Sequence, residues 1–128
     1  MPNPLVFIAR GLLSSVFVTG GLNQLKAPQA LGPVVERAEE KYGLHLPVDG
    51  TDLVKLNGGG MVAAGATLAL GILPKTSALT LAAMLVPTTL VGHAYWDQDD
   101  PGKRFEHRNG FYSNAAVLGG LLLVAARK

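Results

Sequence analysis

The sequence predicts an all-α integral membrane protein: a four-helix bundle with one short amphipathic helix in its first long loop. Three observations predict it. Four apolar runs, about 5–25, 53–73, 77–96 and 111–126, match the roughly 17–25 helical residues that cross a ~30 Å bilayer core. Charge is segregated: none lies between Lys55 and Lys75, between Lys75 and Asp97, or between Arg108 and Arg127. The runs are continuous rather than alternating, which favours helices over barrel strands. Only those two structures satisfy their backbone groups inside lipid. A single transmembrane domain spanning 1–128 is expected.

Composition alone does not decide this, because 48% hydrophobic residues and a mean hydropathy of +0.30 also fit an apolar soluble protein. It does exclude other classes. With no cysteine the chain carries no disulfide, thiolate nucleophile or Cys-ligated cluster of its own. A net charge of +2, spread along the chain, is no nucleic-acid footprint. Phosphate-binding loops, nucleophile elbows and zinc-protease motifs are absent. Gly58-Gly59-Gly60 lies inside an apolar run and opens no phosphate loop. No catalytic residue and no metal site is assigned.

The first helix has no Lys or Arg before Arg10 and no small-residue cleavage site after it, so it reads as a retained helix rather than a signal peptide. Arg10 is expected to snorkel to lipid phosphates. A polar stretch from Ala27 to Asp52 follows. Within it Gly32-Pro33 reads as a helix start and Gly43 as a stop. Val34, Val35, Ala38 and Tyr42 fall at helical spacing and Glu36, Arg37, Glu39, Glu40 and Lys41 mostly elsewhere. This amphipathic helix either lies on the membrane surface or packs over the bundle.

Asp49, Thr51 or Asp52 can cap the second long helix, which Pro74 ends. Lys75-Thr76 is then a very short turn, so the second and third helices are antiparallel neighbours. The third contains Pro87, where a kink is expected, with the hydroxyls of Thr88 and Thr89 satisfying the freed carbonyl. Asp97 to Gly110 reads as a charged connection with turns at Asp100-Pro101 and Asn109-Gly110. Gly60-Ala64, Ala115-Gly119 and Ala116-Gly120 are small-xxx-small pairs, suited to close packing within the chain or to a homo-oligomer face.

Four crossings put both termini on one side, with Arg10, Lys75, Arg127, Lys128 and no acid. The other side holds seven Lys or Arg and all nine Asp or Glu. By Lys/Arg count alone the long loops would be cytoplasmic. Several of those residues sit in a long, acid-rich loop, and the expectation adopted is a multi-pass protein of the cell membrane with both termini cytoplasmic.

Antiparallel threading gathers polar residues at the loop end. Asn23 and Gln24 close the first helix, Asn57 opens the second, His93 closes the third, and Ser113 and Asn114 open the fourth. Tyr95, Trp96, Phe111 and Tyr112 supply an aromatic belt at that level. Two readings are open: interhelical hydrogen-bond glue, or a pocket for a polar headgroup such as a quinone carbonyl or a lipid, touched by His93, Asn57, Asn114, Asn23, Gln24 and Trp96. Haem with two axial histidines lacks a second intrahelical His. His107 with His93 and the nearby acids is either a metal site or part of a solvated acidic loop. A transporter would need a polar path through the bilayer, and the polar residues lie mainly at one end.

The segments FVTGGLNQLKAP (17–28), LVKLNGGGMVAAGATLALGILPK (53–75), LVPTTLVGHAYWDQDDP (85–101) and FYSNAAVLGGLLLVAA (111–126) resemble the DoxX family of small four-helix membrane proteins, in particular its actinobacterial branch. Asn23, Lys26, Asn57, His93, Trp96 and Asn114 fall on that family's recurrent polar positions. The resemblance implies association with membrane redox systems of the quinol oxidase and thiosulfate:quinone type. It implies an accessory or anchoring subunit whose partners are the lipid bilayer and the protein subunits of a redox complex. Without cysteine, any thiol chemistry would belong to those partners.

Overall fold

The computed structural model describes residues 3–127. Five α-helices follow one another: α1 Pro4–Lys26, α2 Pro28–Lys41, α3 Gly50–Leu70, α4 Pro74–Gly92 and α5 Pro101–Ala126, with a 3-10 turn at Tyr95–Asp97 between the last two. Among the described residues there is no strand. Four segments, α1, α3, α4 with its 3-10 turn, and α5, are long and apolar enough to cross a membrane.

Local chemistry sets the boundaries, several of which differ from the sequence expectation. Asn3 caps α1, accepting a hydrogen bond from the Leu5 N–H at 2.9 Å, with Pro4 in the first turn. The amphipathic helix starts at Pro28, not at Gly32-Pro33, and only Ala27 separates it from α1. Pro33 is tolerated in its second turn because the carbonyl it leaves unbonded belongs to exposed Gln29. α3 begins at Gly50, with Asp49 in the capping position, and stops before Pro74. Gly71 takes a left-handed φ of 76°, and the N–H groups of Gly71 and Ile72 return to Leu68 and Thr67. Pro74 therefore opens α4 instead of ending α3, and the turn is Gly71 to Leu73 instead of Lys75-Thr76.

α4 is helical through Pro87 to Gly92. The Thr88 and Thr89 hydroxyls donate to the carbonyls of Met84 and Leu85 at 2.8 and 2.7 Å, the two beyond the carbonyl that Pro87 frees. The expected charged connection is mostly helix. Asp100 caps α5 through the Lys103 N–H, and Asn109-Gly110 sits inside α5 rather than in a turn. Gly110 is there for close approach: a Cβ on it would lie 2.4 Å from Cε1 and Nδ1 of His93.

α1 packs mainly on α3, α4 on α5, and α3 on α4, while α1 and α5 meet lightly where Leu13 covers Gly120. The core is a column of Phe17, Met61, Leu68, Ala78, Leu81, Leu85 and Leu121. α1 and α3 touch backbone to backbone at Gly21 and Gly58. A Cβ on either would fall 2.6–2.8 Å from the other's carbonyl oxygen. Gly60 faces Met84 of α4 and Gly120 faces Leu13 of α1, so these two pack within the chain, while Ala115, Ala116 and Gly119 look outward.

The outer surface is apolar. Leu5, Leu12, Leu70 and Leu123 are each about 70% exposed or more, a surface a soluble monomer does not present on this scale. It is the surface a bilayer covers, and the protein is a multi-pass membrane bundle.

Candidate functional site

The apolar face of α2 is turned onto the bundle, where it packs against α3 and α4. Of the two expectations for this helix, packing over the bundle is the one observed. Gly32 rests on Thr51, where a Cβ would sit 2.7 Å from Oγ1. Gly50 in turn meets the Gly32 carbonyl and the Glu36 side chain. At the other end of α2, Lys41 pairs with Asp97 of the 3-10 turn and lies 5.3 Å from the centre of the Tyr42 ring. Asp97 holds the Lys41 ammonium above its ordinary value by accepting its hydrogen bond. A shared hydrogen bond with the Asp49 carboxyl likewise pushes Glu36 above the usual carboxylate range.

Beneath α2 lies a cavity of about 530 Å³, within the range of small-ligand pockets. Leu31, Val34, Val35 and Ala38 of α2, with Tyr42 just beyond it, form one wall, Leu53, Val54, Leu56 and Asn57 the α3 wall, and Pro87, Thr88, Val91 and Gly92 the α4 wall. Its polar end is built by three helices. The Asn57 amide donates to Gln24 Oε1 at 3.0 Å and reaches Thr88 Oγ1 at 3.4 Å. Met61 Sδ accepts from both amides, at 3.3 and 3.6 Å. Glu39 belongs to the wall on the α2 side, and its Oε1 is shut off from solvent with no donor in reach.

The six residues picked from the sequence do not form one cluster. Gln24 and Asn57 are bonded together at this cavity. Asn114 is on the other side of α4, donating to Thr89 Oγ1 at 3.0 Å beside a smaller groove of about 140 Å³ between α4 and α5. Asn23 faces outward on α1. His93 leans on Gly110, with its ring centre 5.6 Å from that of His107, and the Nδ1 atoms of both rings are buried without a partner. Trp96 joins the belt expected at this level, edge-on to Tyr95 and Phe111, and Phe111 is edge-on to Tyr112. Among the described residues, no three His, Asp or Glu side chains gather as a metal site.

In the sequence Thr88 and Thr89 stand out only as neighbours of Pro87, yet they are the α4 partners of Asn57 and Asn114. Their adjacency is the signal: successive helical residues point about 100° apart, so the pair serves two different helix contacts. A further polar contact joins α3 to α4 at the opposite end, Thr67 Oγ1 to Ser77 Oγ at 2.6 Å, so interhelical polar groups are not confined to the loop end. Arg10 is there too, its guanidinium against Gly71 at the C-terminal end of α3, where a cation is favoured by the helix dipole.

A family model described as DoxX matches residues 5–94. The chain belongs to the DoxX family. The DoxX match takes in Asn23, Gln24, Asn57 and His93 and stops before Trp96 and Asn114. No curated protein and no solved structure matches the chain.

Proposed function

We propose that this DoxX protein is an accessory subunit of a membrane redox complex, and that the cavity beneath α2 receives the polar end of a membrane-soluble ligand, a quinone or a lipid. The observation that carries the ligand reading is the 530 Å³ cavity with Gln24, Asn57 and Thr88 joined at one end. Its walls are aliphatic, which suits a hydrocarbon body. The Gln24 amide donates only a long bond to sulfur, so it can turn to a carbonyl or phosphate oxygen at little cost. Gln24 and Asn57 are the ligand contacts in this reading. Asn114 serves the smaller groove, and Asn23, His93 and Trp96 lie outside both. Family membership supports the redox context, and the protein contributes no thiol to it. Cytoplasmic termini in the cell membrane are part of the same proposal: the side bearing Arg10, Lys75 and Arg127 carries no acid, whereas the seven Lys or Arg of the other side are mixed with all nine Asp and Glu.

The test is native mass spectrometry of the protein released gently from its own membrane. A stoichiometric quinone or lipid adduct that Asn57→Ala loses supports the site. An adduct indifferent to Asn57→Ala refutes it.

A second reading is a scaffold that recruits partner proteins without a small-molecule site. The first turns of α5, Pro101 to Glu106, favour it: they are exposed and carry Phe105, 57% exposed, among charged neighbours. An aromatic side chain set among charges is a common docking anchor. If Phe105→Ser strips co-purifying subunits while Asn57→Ala does not, the scaffold reading replaces the first. The outward Ala115-Gly119 step is where a second copy would pack.

A further inference from the structure

The geometry points to a head-group class for the cavity beneath α2: a hydroxyl, which accepts one hydrogen bond and donates another, carried on a hydrocarbon body. The inference rests on the reading of that cavity as a ligand site and keeps its orientation, with the head at Gln24 and Asn57. It follows from what the two amides have left to offer. The Asn57 NH2 is committed: it donates to Gln24 Oε1 at 3.0 Å, and reaches Met61 Sδ and Thr88 Oγ1 at 3.3 and 3.4 Å. Thr88 gives its own hydroxyl hydrogen to the Met84 carbonyl at 2.8 Å. Two functions remain. The Gln24 NH2 meets only the Met61 sulfur, at 3.6 Å, and a thioether is a weak acceptor. Asn57 Oδ1 accepts no hydrogen bond among the described residues and keeps accessible surface, on a side chain that lines the cavity.

One unused donor and one unused acceptor, on two side chains bonded to each other, complement a hydroxyl. Its oxygen accepts from the Gln24 NH2 and its hydrogen goes to Asn57 Oδ1. A ketone, an ester or a quinone carbonyl takes the Gln24 donor but brings no hydrogen for Asn57 Oδ1. That oxygen then loses its water without a replacement, which is costly. A phosphate or carboxylate needs a cation, and the lining includes no Lys or Arg. An ammonium donates and cannot accept, so it opposes the Gln24 NH2. The hydroxyl has two sources with the same head chemistry: a reduced quinone, or a lipid alcohol such as a monoacylglycerol.

The experiment uses the full-length protein in phosphatidylcholine vesicles and a decanol bearing a mid-chain diazirine. After photolysis, peptide mass spectrometry locates the label. The expected result is labelling on the walls at Val35, Ala38 and Leu53. Unlabelled decanol should displace the probe at a bilayer mole fraction about fivefold lower than methyl octyl ketone requires, the order of one neutral hydrogen bond. Gln24→Met combined with Asn57→Leu replaces both partners by apolar side chains of similar size, which a fold tolerates better than the loss of one. The double variant should keep the label and lose the preference. Decylhydroquinone and monodecanoylglycerol as competitors separate the two sources, the natural class displacing at the lower mole fraction. Equal displacement by decanol and the ketone, or a preference that survives the double variant, overturns the hydroxyl assignment and leaves the cavity reading standing. So does labelling by a diazirine-bearing decylquinone or phospholipid where the decanol gives none. If none of the three probes labels the cavity, the cavity reading falls and the hydroxyl assignment with it.

Discussion

Replacing Gly21 by alanine tests the helix contact on which the candidate site is built. A Cβ at Gly21 would sit 2.6 Å from the Gly58 carbonyl oxygen, 2.8 Å from Val62 Cγ2 and 3.1 Å from Met61 Cβ. The nearest atom is backbone and cannot rotate away. Restoring ordinary contact requires α1 and α3 to separate locally by about 0.8 Å. One turn further along, the same separation stretches the 3.0 Å bond between Gln24 and Asn57 past useful hydrogen-bond length. Overpacking of this kind costs about 1–3 kcal/mol, and a lost interhelical hydrogen bond adds about 0.6–1.7 kcal/mol. Alanine returns roughly 0.5–1 kcal/mol as a better helix former. The net expectation is a loss of about 1–4 kcal/mol. Equilibrium unfolding in mixed detergent micelles, followed by circular dichroism, measures it. Gly59→Ala is the control, because nothing lies within 4 Å of its Cβ position. A Gly21→Ala protein as stable as Gly59→Ala, with the Gln24 and Asn57 amide resonances unmoved, would refute the close-contact argument.

The other predictions concern the site and its cover. Asn57→Ala should destabilise by about 1–2 kcal/mol and Asn114→Ala by about 0.6 kcal/mol, since the first loses bonds to two helices and the second to one. Asn23→Ala, on an exposed position, should be neutral in the same unfolding assay. Gly110→Ala should displace the His93 ring from α5 and break its contact with His107, visible as altered imidazole resonances with little change in helix content. Glu36 has a folded value raised above 4.5. Its contribution to docking of α2 is therefore full below the ordinary value and lost as pH rises through the raised one. A nitroxide at Glu40 should report a more mobile α2 at neutral than at acid pH, and Glu36→Gln should flatten that dependence. Asp97→Asn should speed amide exchange at the C-terminal end of α2 by releasing Lys41, with the four long helices unaffected.

The spanning helices were legible because the bilayer imposes a one-dimensional rule: an uncharged apolar run of the right length has no alternative to helix. Charge placement made legible the antiparallel threading, the pooling of all nine carboxylates at one end, and the aromatic belt around Trp96 and Phe111. The amphipathic spacing of Val34, Val35, Ala38 and Tyr42 identified one apolar face, and family membership was readable from the ordered polar positions. The helix ends were less legible. Pro74 and Pro101 each start a helix as readily as they stop one, and only the neighbouring backbone decides which.

What the apolar face of α2 covers was decided by tertiary structure alone, through Gly32 meeting Thr51 and Gly50 meeting Gly32. The same holds for the division of the polar residues between two faces of α4. Sequence placed Gln24, Asn57, His93 and Asn114 at a common depth, because depth follows from distance along each helix. It could not place them around the bundle axis, because rotation of each helix is set by which side chains interlock with its neighbours. Rotation put Asn57 on Gln24 and Thr88, sent Asn114 to Thr89 and His93 to Gly110, and left a cavity where α2 spans α3 and α4. Depth was written in the chain, and azimuth belonged to the packing.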